Sequence, residues 1–190
     1  DVYKRQVLTN WLKIVGGRYH SLALKTNGTL WSWGQNNTGQ LGLGNLTVYS
    51  SPKQVGALTN WLNIASGSYH IMALKTDGTL WTWGYNAYGQ LGLGNTTNYS
   101  SPVQVGALTN WSSISCCYYN TLAIKTDGTL WTWGANNQGQ LGLSNRTYYY
   151  SPKQVGAGTN WSIISGGYNN GIALKTDGTL WTWGGNQYGQ

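Results

Sequence analysis

The amino-acid sequence predicts an all-β protein built from repeated antiparallel units. The stretch DGTLWTWG occurs at residues 77–84, 127–134 and 177–184, and NGTLWSWG occurs at 27–34, so the motif returns every 50 residues. The chain holds 28 Gly, 14 Tyr and 12 Trp, but only 8% of its residues are charged. Aromatic and Thr-rich stretches separated by Gly- and Asn-rich ones are typical of short strands joined by tight turns.

Four copies of the repeat begin at Trp11, Trp61, Trp111 and Trp161, with no insertion between them. The 180 residues from Trp11 to the last residue make 3.6 periods of 50. We therefore expect the array to occupy residues 7–190 with its last copy truncated. Residues 1–6, DVYKRQ, match no part of the repeat and read like the translated end of a library-preparation transposon. They predict a non-native leader on a piece of a longer protein.

Each copy contains four strand candidates. In the first copy, SLALKT and TLWSW alternate on either side of Asn27-Gly28, which predicts a hairpin with a two-residue turn and positive φ at the turn residues. WLKIV and SPKQV are two further short strands. Four antiparallel strands in about 50 residues are typical of a propeller blade. The predicted fold is therefore a β-propeller of four-stranded antiparallel blades, present here as a partial ring of about 3.6 to 4 blades.

The tryptophans occupy three fixed slots per copy, which are residues 11, 31 and 33 in the first copy. Blades stack face to face, so both faces of each sheet are buried, and one Trp side chain can bury roughly 150–250 Å². We interpret these slots as packing between blades rather than as ligand stacking.

The stretch HSLALKTNGTLWSWGQNNTGQLGLGN resembles the repeat of the regulator-of-chromosome-condensation (RCC1) family. The resemblance extends over residues 11–190 and includes the Asp-Gly turn, W-x-W-G, N-x-x-G-Q-L-G and a later Pro. It implies a seven-bladed ring for the whole protein. The motifs of kelch and WD repeats match this sequence less well. The near-identity of the copies and their TNW junctions resemble bacterial or viral members of the family.

Family resemblance does not by itself choose a function, because members act as a nucleotide exchange factor for a small GTPase, as ubiquitin-ligase modules or as a β-lactamase inhibitor. The sequence has no Glu and carries Asp outside the leader only at the turns, which argues against exchange activity. We interpret the chain as a non-enzymatic binding scaffold. Two alternatives stay open: an exchange factor, and a structural module of a larger secreted or viral surface protein. The location stays open as well, with secretion, the cell surface or a virion favoured.

The polar residues predict neither a catalytic nor a metal site, and no cofactor. Asp77 and its equivalents are turn formers, and His20 and His70 share a slot that holds Asn in the later copies. Cys116 and Cys117 replace small residues, with a vicinal disulfide left open. The net charge of +7 is spread thinly without a Lys/Arg run, so nucleic acid is not an expected partner. No apolar run is long enough to predict a membrane segment.

The copies differ mainly where the hairpin begins and where it ends. Because these two places are adjacent in a hairpin, we predict one variable rim opposite the Asp-Gly turns. Its Tyr, Asn and Gln side chains suit recognition of a protein or a glycan, although neutral drift is the alternative. A third variable stretch, NLTVYS against NTTNYS and NRTYYY, is expected on an outer loop. The candidate partner-binding residues are Arg18, Tyr19, Gln35, Tyr69, His70, Tyr85, Tyr88, Tyr118, Tyr119, Tyr168 and Tyr188.

Overall fold

The computed structural model describes residues 9–190, which form fifteen β-strands in four antiparallel sheets. The predicted leader at residues 1–6 lies outside the described residues. Each sheet is one copy of the repeat, and its strands pair in chain order. The all-β fold with four-stranded antiparallel blades is thus confirmed, and blade 4 is described with three strands. The seven-bladed ring stays a prediction.

The strands have nearly the same bounds in every blade. Blade 1 contains β1 (Trp11–Gly16), β2 (His20–Lys25), β3 (Leu30–Gly34) and β4 (Tyr49–Gln54). Blade 2 contains β5 (Trp61–Ser66), β6 (His70–Lys75), β7 (Leu80–Gly84) and β8 (Tyr99–Gln104). Blade 3 contains β9 (Trp111–Cys116), β10 (Asn120–Lys125), β11 (Leu130–Gly134) and β12 (Tyr149–Gln154). Blade 4 contains β13 (Trp161–Gly166), β14 (Asn170–Lys175) and β15 (Leu180–Gly184).

The turn of the central hairpin differs from the predicted one. In blade 1, the backbone N–H of Gly28 donates to Lys25 O at 2.9 Å, and Lys25 N–H donates to Thr29 O at 3.0 Å. Gly28 has φ +74°, whereas Asn27 is not among the described non-glycine residues with positive φ. The predicted two-residue turn is therefore wrong. The connection is a three-residue loop in which a β-turn is followed by a left-handed glycine.

The core lies between successive blades. Leu22, Leu24 and Leu30 of blade 1 pack against Trp61 and Trp83 of blade 2, and all five are at most 3% exposed. The same arrangement joins blade 2 to blade 3 and blade 3 to blade 4. Strands β6 and β10 are buried along their whole length, because a neighbouring blade covers each face of their sheets. The interpretation of the first and third Trp slots as packing positions agrees with this burial.

Hydrogen bonds from tryptophan also join the blades. The indole Nε1–H of Trp83 donates to Gln40 O of the preceding blade at 3.2 Å, and that of Trp133 donates to Gln90 O at 2.9 Å. The W-x-W-G motif of one blade is therefore hydrogen-bonded to the G-Q-L-G motif of the preceding blade. Within residues 9–190, no helix is long and apolar enough to cross a membrane.

Candidate functional site

The start and the end of each hairpin meet at one rim. The backbone N–H of Gln35 donates to Tyr19 O at 2.9 Å, and that of Tyr85 donates to Tyr69 O at 2.9 Å. Blade 3 repeats this bond between Ala135 and Tyr119 at 3.0 Å. The strand pairing puts the Asp-Gly turns at the opposite end of the sheets. The sequence-variable positions therefore share one rim, as the hairpin geometry predicts.

Eight tyrosines on this rim form one connected set of ring contacts. Tyr85 lies at its centre, with its ring centroid 6.2 Å from that of Tyr69, 6.1 Å from that of Tyr88 and 5.9 Å from that of Tyr119. Tyr88 and Tyr119 approach to 4.8 Å. We call this surface the tyrosine rim; its members are Arg18, Tyr19, Tyr69, Tyr85, Tyr88, Tyr118, Tyr119, Tyr148 and Tyr168.

Arg18 connects blade 1 to blade 3 across the rim. Its Nη1 donates to the hydroxyl of Tyr118 at 3.2 Å, although 100 residues separate the two in sequence. Its guanidinium carbon also lies 5.2 Å from the ring centroid of Tyr19 and 5.9 Å from that of Tyr69. Tyr118 in turn stacks on Tyr168 of blade 4, with 4.1 Å between centroids and 29° between ring planes. Residues of all four blades thus contribute to one surface.

Hydroxyl groups and one positive charge determine the electrostatics of the rim. The hydrogen bond with Tyr119 is the main cause that lowers the pKa of Tyr118, and the nearby Arg18 guanidinium acts in the same direction. Burial raises the pKa of the Tyr119 hydroxyl. The carboxylates of the described residues sit in the turns at the opposite rim, so Arg18 has no carboxylate partner there. The rim therefore offers aromatic faces, hydroxyl donors and one guanidinium.

The structure brings most of the predicted residues together. Tyr19 is 56% exposed and Tyr168 is 62% exposed, while the other predicted tyrosines within the network are half-buried. Tyr188 lies at the same end of blade 4, where it lines a cavity of about 320 Å³ with Tyr168 and Gln138, and it is 92% exposed. Gln35 is half-buried beside the network.

His70 has to be removed from the predicted surface. Its side chain is fully buried, and its Nε2 lies 3.1 Å from Thr121 Oγ1 of the next blade. His20 makes the equivalent contact with Ser66 Oγ at 3.0 Å. Both rings point from the start of their strand into the blade interface, so neither can contact a partner. Burial lowers the pKa of His20 to about 4 and that of His70 to about 3.

Tyr148 is a member of the rim that the sequence analysis missed. It belongs to the stretch NRTYYY, which we expected on an outer loop, but its ring centroid lies 5.9 Å from that of Tyr88 in the preceding blade. The signal in the sequence is the tyrosine itself, because the equivalent residues are Val48 and Asn98.

The remaining polar residues have structural partners. Asp77 Oδ1 accepts hydrogen bonds from Thr79 N at 3.0 Å and Thr79 Oγ1 at 2.6 Å, which supports its role as a turn former. Cys116 and Cys117 are free thiols, and burial raises the pKa of Cys117 to about 12, so its thiolate is scarce at neutral pH. Across residues 9–190, no group of three or more His, Cys or Asp side chains could hold a metal ion.

Two family models match the chain, and both are described as the regulator of chromosome condensation (RCC1) repeat. One matches residues 27–74, 77–124 and 127–174. The other matches residues 11–40, 61–90, 111–140 and 161–190. Together these matches run from the first strand to the last residue.

Solved structures share the fold at low sequence identity. Human WBSCR16 matches with a TM-score of 0.84 and 23% identity over 96% of this chain and 50% of that one. Yeast RCC1 (Prp20), solved with Kap60 bound, matches with a TM-score of 0.82 and 22% identity over 96% of this chain and 46% of that one. Prp20p from Saccharomyces cerevisiae, reported with its binding to Gsp1p and histones, matches with a TM-score of 0.79 and 24% identity over 92% of this chain and 45% of that one. The chain spans about half the length of these structures.

Proposed function

Because the chain belongs to the regulator of chromosome condensation (RCC1) repeat family, we propose that it is a protein-binding scaffold whose partner docks on the tyrosine rim. The observation that carries the proposal is the continuous network of eight tyrosines and Arg18, drawn from four blades and located where the copies differ most. Neutral drift does not require the variable residues to be aromatic or to touch one another.

The chemistry of the rim suits a protein partner. Tyrosine provides a large, rigid contact area with few rotatable bonds, and its hydroxyl donates and accepts hydrogen bonds. Tyr and Arg are also enriched among the residues that dominate binding energy at interfaces. Since Arg18 is the charged group within the rim, the proposal favours a partner surface with an acidic side chain opposite it.

The structural relatives support a binding role without naming the partner. Yeast RCC1 binds Kap60, and Prp20p is reported with Gsp1p and histones, but the identity of 22% to 24% is too low to transfer those partners to this chain. A glycan ligand is the alternative to a protein partner on the same rim, and a bacterial or viral origin is a finer part of the proposal. Exchange activity on a small GTPase is the second candidate, and nucleotide-release kinetics would detect it directly.

Comparative capture from an extract of the source tests the proposal. The wild-type chain is compared with Tyr85→Ser/Tyr88→Ser and with a control on the turn rim, Thr76→Ala/Thr126→Ala, whose residues are exposed. We expect one protein to be retained by wild type and control and lost from the tyrosine variant. Retention of the same proteins by all three would contradict the proposal. Retention of glycans alone would replace the protein partner with a carbohydrate.

A further inference from the structure

The innermost strands of the four blades end around one pocket on the tyrosine rim. Strands β1, β5, β9 and β13 contact one another in turn, so the loops that follow them meet beside the axis of the propeller. The backbone N–H of Arg18 donates to Ser68 O at 3.1 Å, which joins the loops of blades 1 and 2. The loops enclose a pocket of about 270 Å³ that has residues of every blade in its wall. We call it the axial pocket; its side-chain lining includes Arg18, Ser68, Cys116, Cys117, Tyr118 and Tyr168.

Arg18 lies in this pocket with hydrogen-bond donors to spare. Its guanidinium packs against the rings of Tyr19 and Tyr69, and an arginine held against aromatic rings keeps its N–H groups in a fixed plane. The hydroxyls of Tyr118 and Tyr19 take part of the five N–H groups. The others have no acceptor among residues 9–190 and are left to water or to a ligand.

No negative group in the axial pocket opposes the binding of an anion. Arg18 is the only Asp, Lys or Arg residue of the lining. The thiols of Cys116 and Cys117 are uncharged at neutral pH, because burial raises the pKa of both, to about 12 for Cys117. The carboxylates of the described residues lie in the turns at the opposite rim. The pocket therefore carries a net positive charge.

Ser68 supplies a second free donor. It is half-buried in the wall of the pocket, and its hydroxyl makes no hydrogen bond within residues 9–190. It occupies in blade 2 the place that Arg18 has in blade 1, and the equivalents in blades 3 and 4 are Tyr118 and Tyr168. One repeat position thus presents a guanidinium and three hydroxyl groups to the same pocket.

We propose that the axial pocket takes one aspartate or glutamate side chain of the protein partner, with its carboxylate bound to Arg18 and Ser68. This inference rests on the proposed function and names the anchor point of the partner. A carboxylate only accepts hydrogen bonds, and it takes two parallel N–H bonds from one guanidinium. A single guanidinium matches its single charge, whereas a phosphate monoester carries about −1.5 to −2 at pH 7. The volume of about 270 Å³ admits a side chain rather than a folded segment.

Titration with a glutamate blocked at both ends, as the N-acetyl N-methylamide, tests the pocket without any partner. Proton–nitrogen spectra follow the arginine Nε–H resonances, and Arg18→Gln assigns the one of interest. We expect this resonance to move with blocked glutamate up to about 50 mM and to stay in place with blocked glutamine. Ser68→Arg adds a second guanidinium to the pocket and should lower the dissociation constant of blocked glutamate at least about fivefold. This gain guards against a loss that comes from misfolding.

Three results of this titration overturn the proposal: no shift at the highest concentration, equal shifts with glutamate and glutamine, or no tighter binding by Ser68→Arg. Blocked phosphoserine that binds at least about tenfold more tightly than blocked glutamate would overturn the carboxylate in favour of a phosphate monoester.

The captured partner gives the second test. Arg18→Gln should weaken its binding about tenfold and remove most of the salt dependence between about 50 and about 500 mM NaCl. Arg18→Lys keeps the charge without the paired donors and should recover only part of the affinity. A loss in Tyr85→Ser/Tyr88→Ser with none in Arg18→Gln overturns the anchor and leaves the proposed function standing. No loss in the tyrosine variant overturns the proposed function, while the blocked-glutamate titration still decides whether the pocket binds a carboxylate.

Discussion

Two buried imidazoles make the stability of the propeller depend on pH. His20 is 4% exposed and His70 is fully buried, and each uses Nε2 for a contact with a hydroxyl of the next blade. The Nδ1 atom of each ring is buried without a hydrogen-bond partner. A protonated ring would therefore place a charge and an unpaired N–H inside a blade interface.

The sign and size of the effect follow from the pKa values. Burial lowers the pKa from 6.5 to about 4 for His20 and to about 3 for His70, where the charge of His20 contributes as well. The unfolded chain thus binds more protons than the folded one, and stability is lost as the pH falls from 6.5 toward these values. Each pH unit corresponds to about 1.4 kcal/mol per histidine, so at about pH 5 the two together cost about 4 kcal/mol.

Urea unfolding followed by tryptophan fluorescence at about pH 7.5 and about pH 5 measures this loss. The matched variant is His70→Asn, because Asn120 and Asn170 occupy the same slot in the later copies. We expect the variant to lose about 2 kcal/mol between the two pH values, half of the wild-type loss. A wild-type loss below about 1 kcal/mol, or an equal loss in the variant, would refute the assignment of buried neutral rings.

Four further variants test the packing account. Trp83→Ala removes a fully buried ring together with its hydrogen bond to the preceding blade, and should lower the unfolding free energy by about 3–5 kcal/mol. Tyr85→Ala/Tyr88→Ala removes half-buried rings and should cost clearly less, about 1–2 kcal/mol, in the same urea titration. Gly78→Ala should be more destabilising than Gly106→Ala by about 1–3 kcal/mol in differential scanning calorimetry. Both glycines have positive φ, so the backbone strain is similar, but only a Cβ at residue 78 would meet a backbone carbonyl oxygen, at 2.0 Å. Equal costs for the two glycine variants, or for the tryptophan and tyrosine variants, would contradict the account.

The repeat made the blades and the shared rim predictable from the sequence. Each copy has the same spacing of Trp, turn and Gly, so one hairpin argument applies to all four sheets. The turn itself was not predictable, because Asn27-Gly28 suits a two-residue turn and a three-residue loop equally well. The choice depends on whether Lys25 pairs with Thr29, which is a backbone bond that composition does not report.

The two errors in the predicted site have different causes. One is the direction of a side chain, and the other is a contact between loops of different blades. His70 occupies a variable position at the start of a strand, but its ring points into the blade interface, and the sequence does not show which way an end residue points. Tyr148 lies 60 residues from Tyr88 and meets it because loops of adjacent blades converge at the rim. Such contacts arise only when the blades are stacked.

The dissociation constant of the captured partner protein, measured for wild type and for Tyr85→Ala/Tyr88→Ala, tests the central claim most directly. The account predicts an increase of roughly 30-fold or more, since an interface hot spot contributes about 2 kcal/mol, while Thr76→Ala/Thr126→Ala on the opposite rim leaves the constant unchanged. An unchanged constant in the tyrosine variant, or an equal loss in the turn-rim control, would show that the partner does not dock on the tyrosine rim.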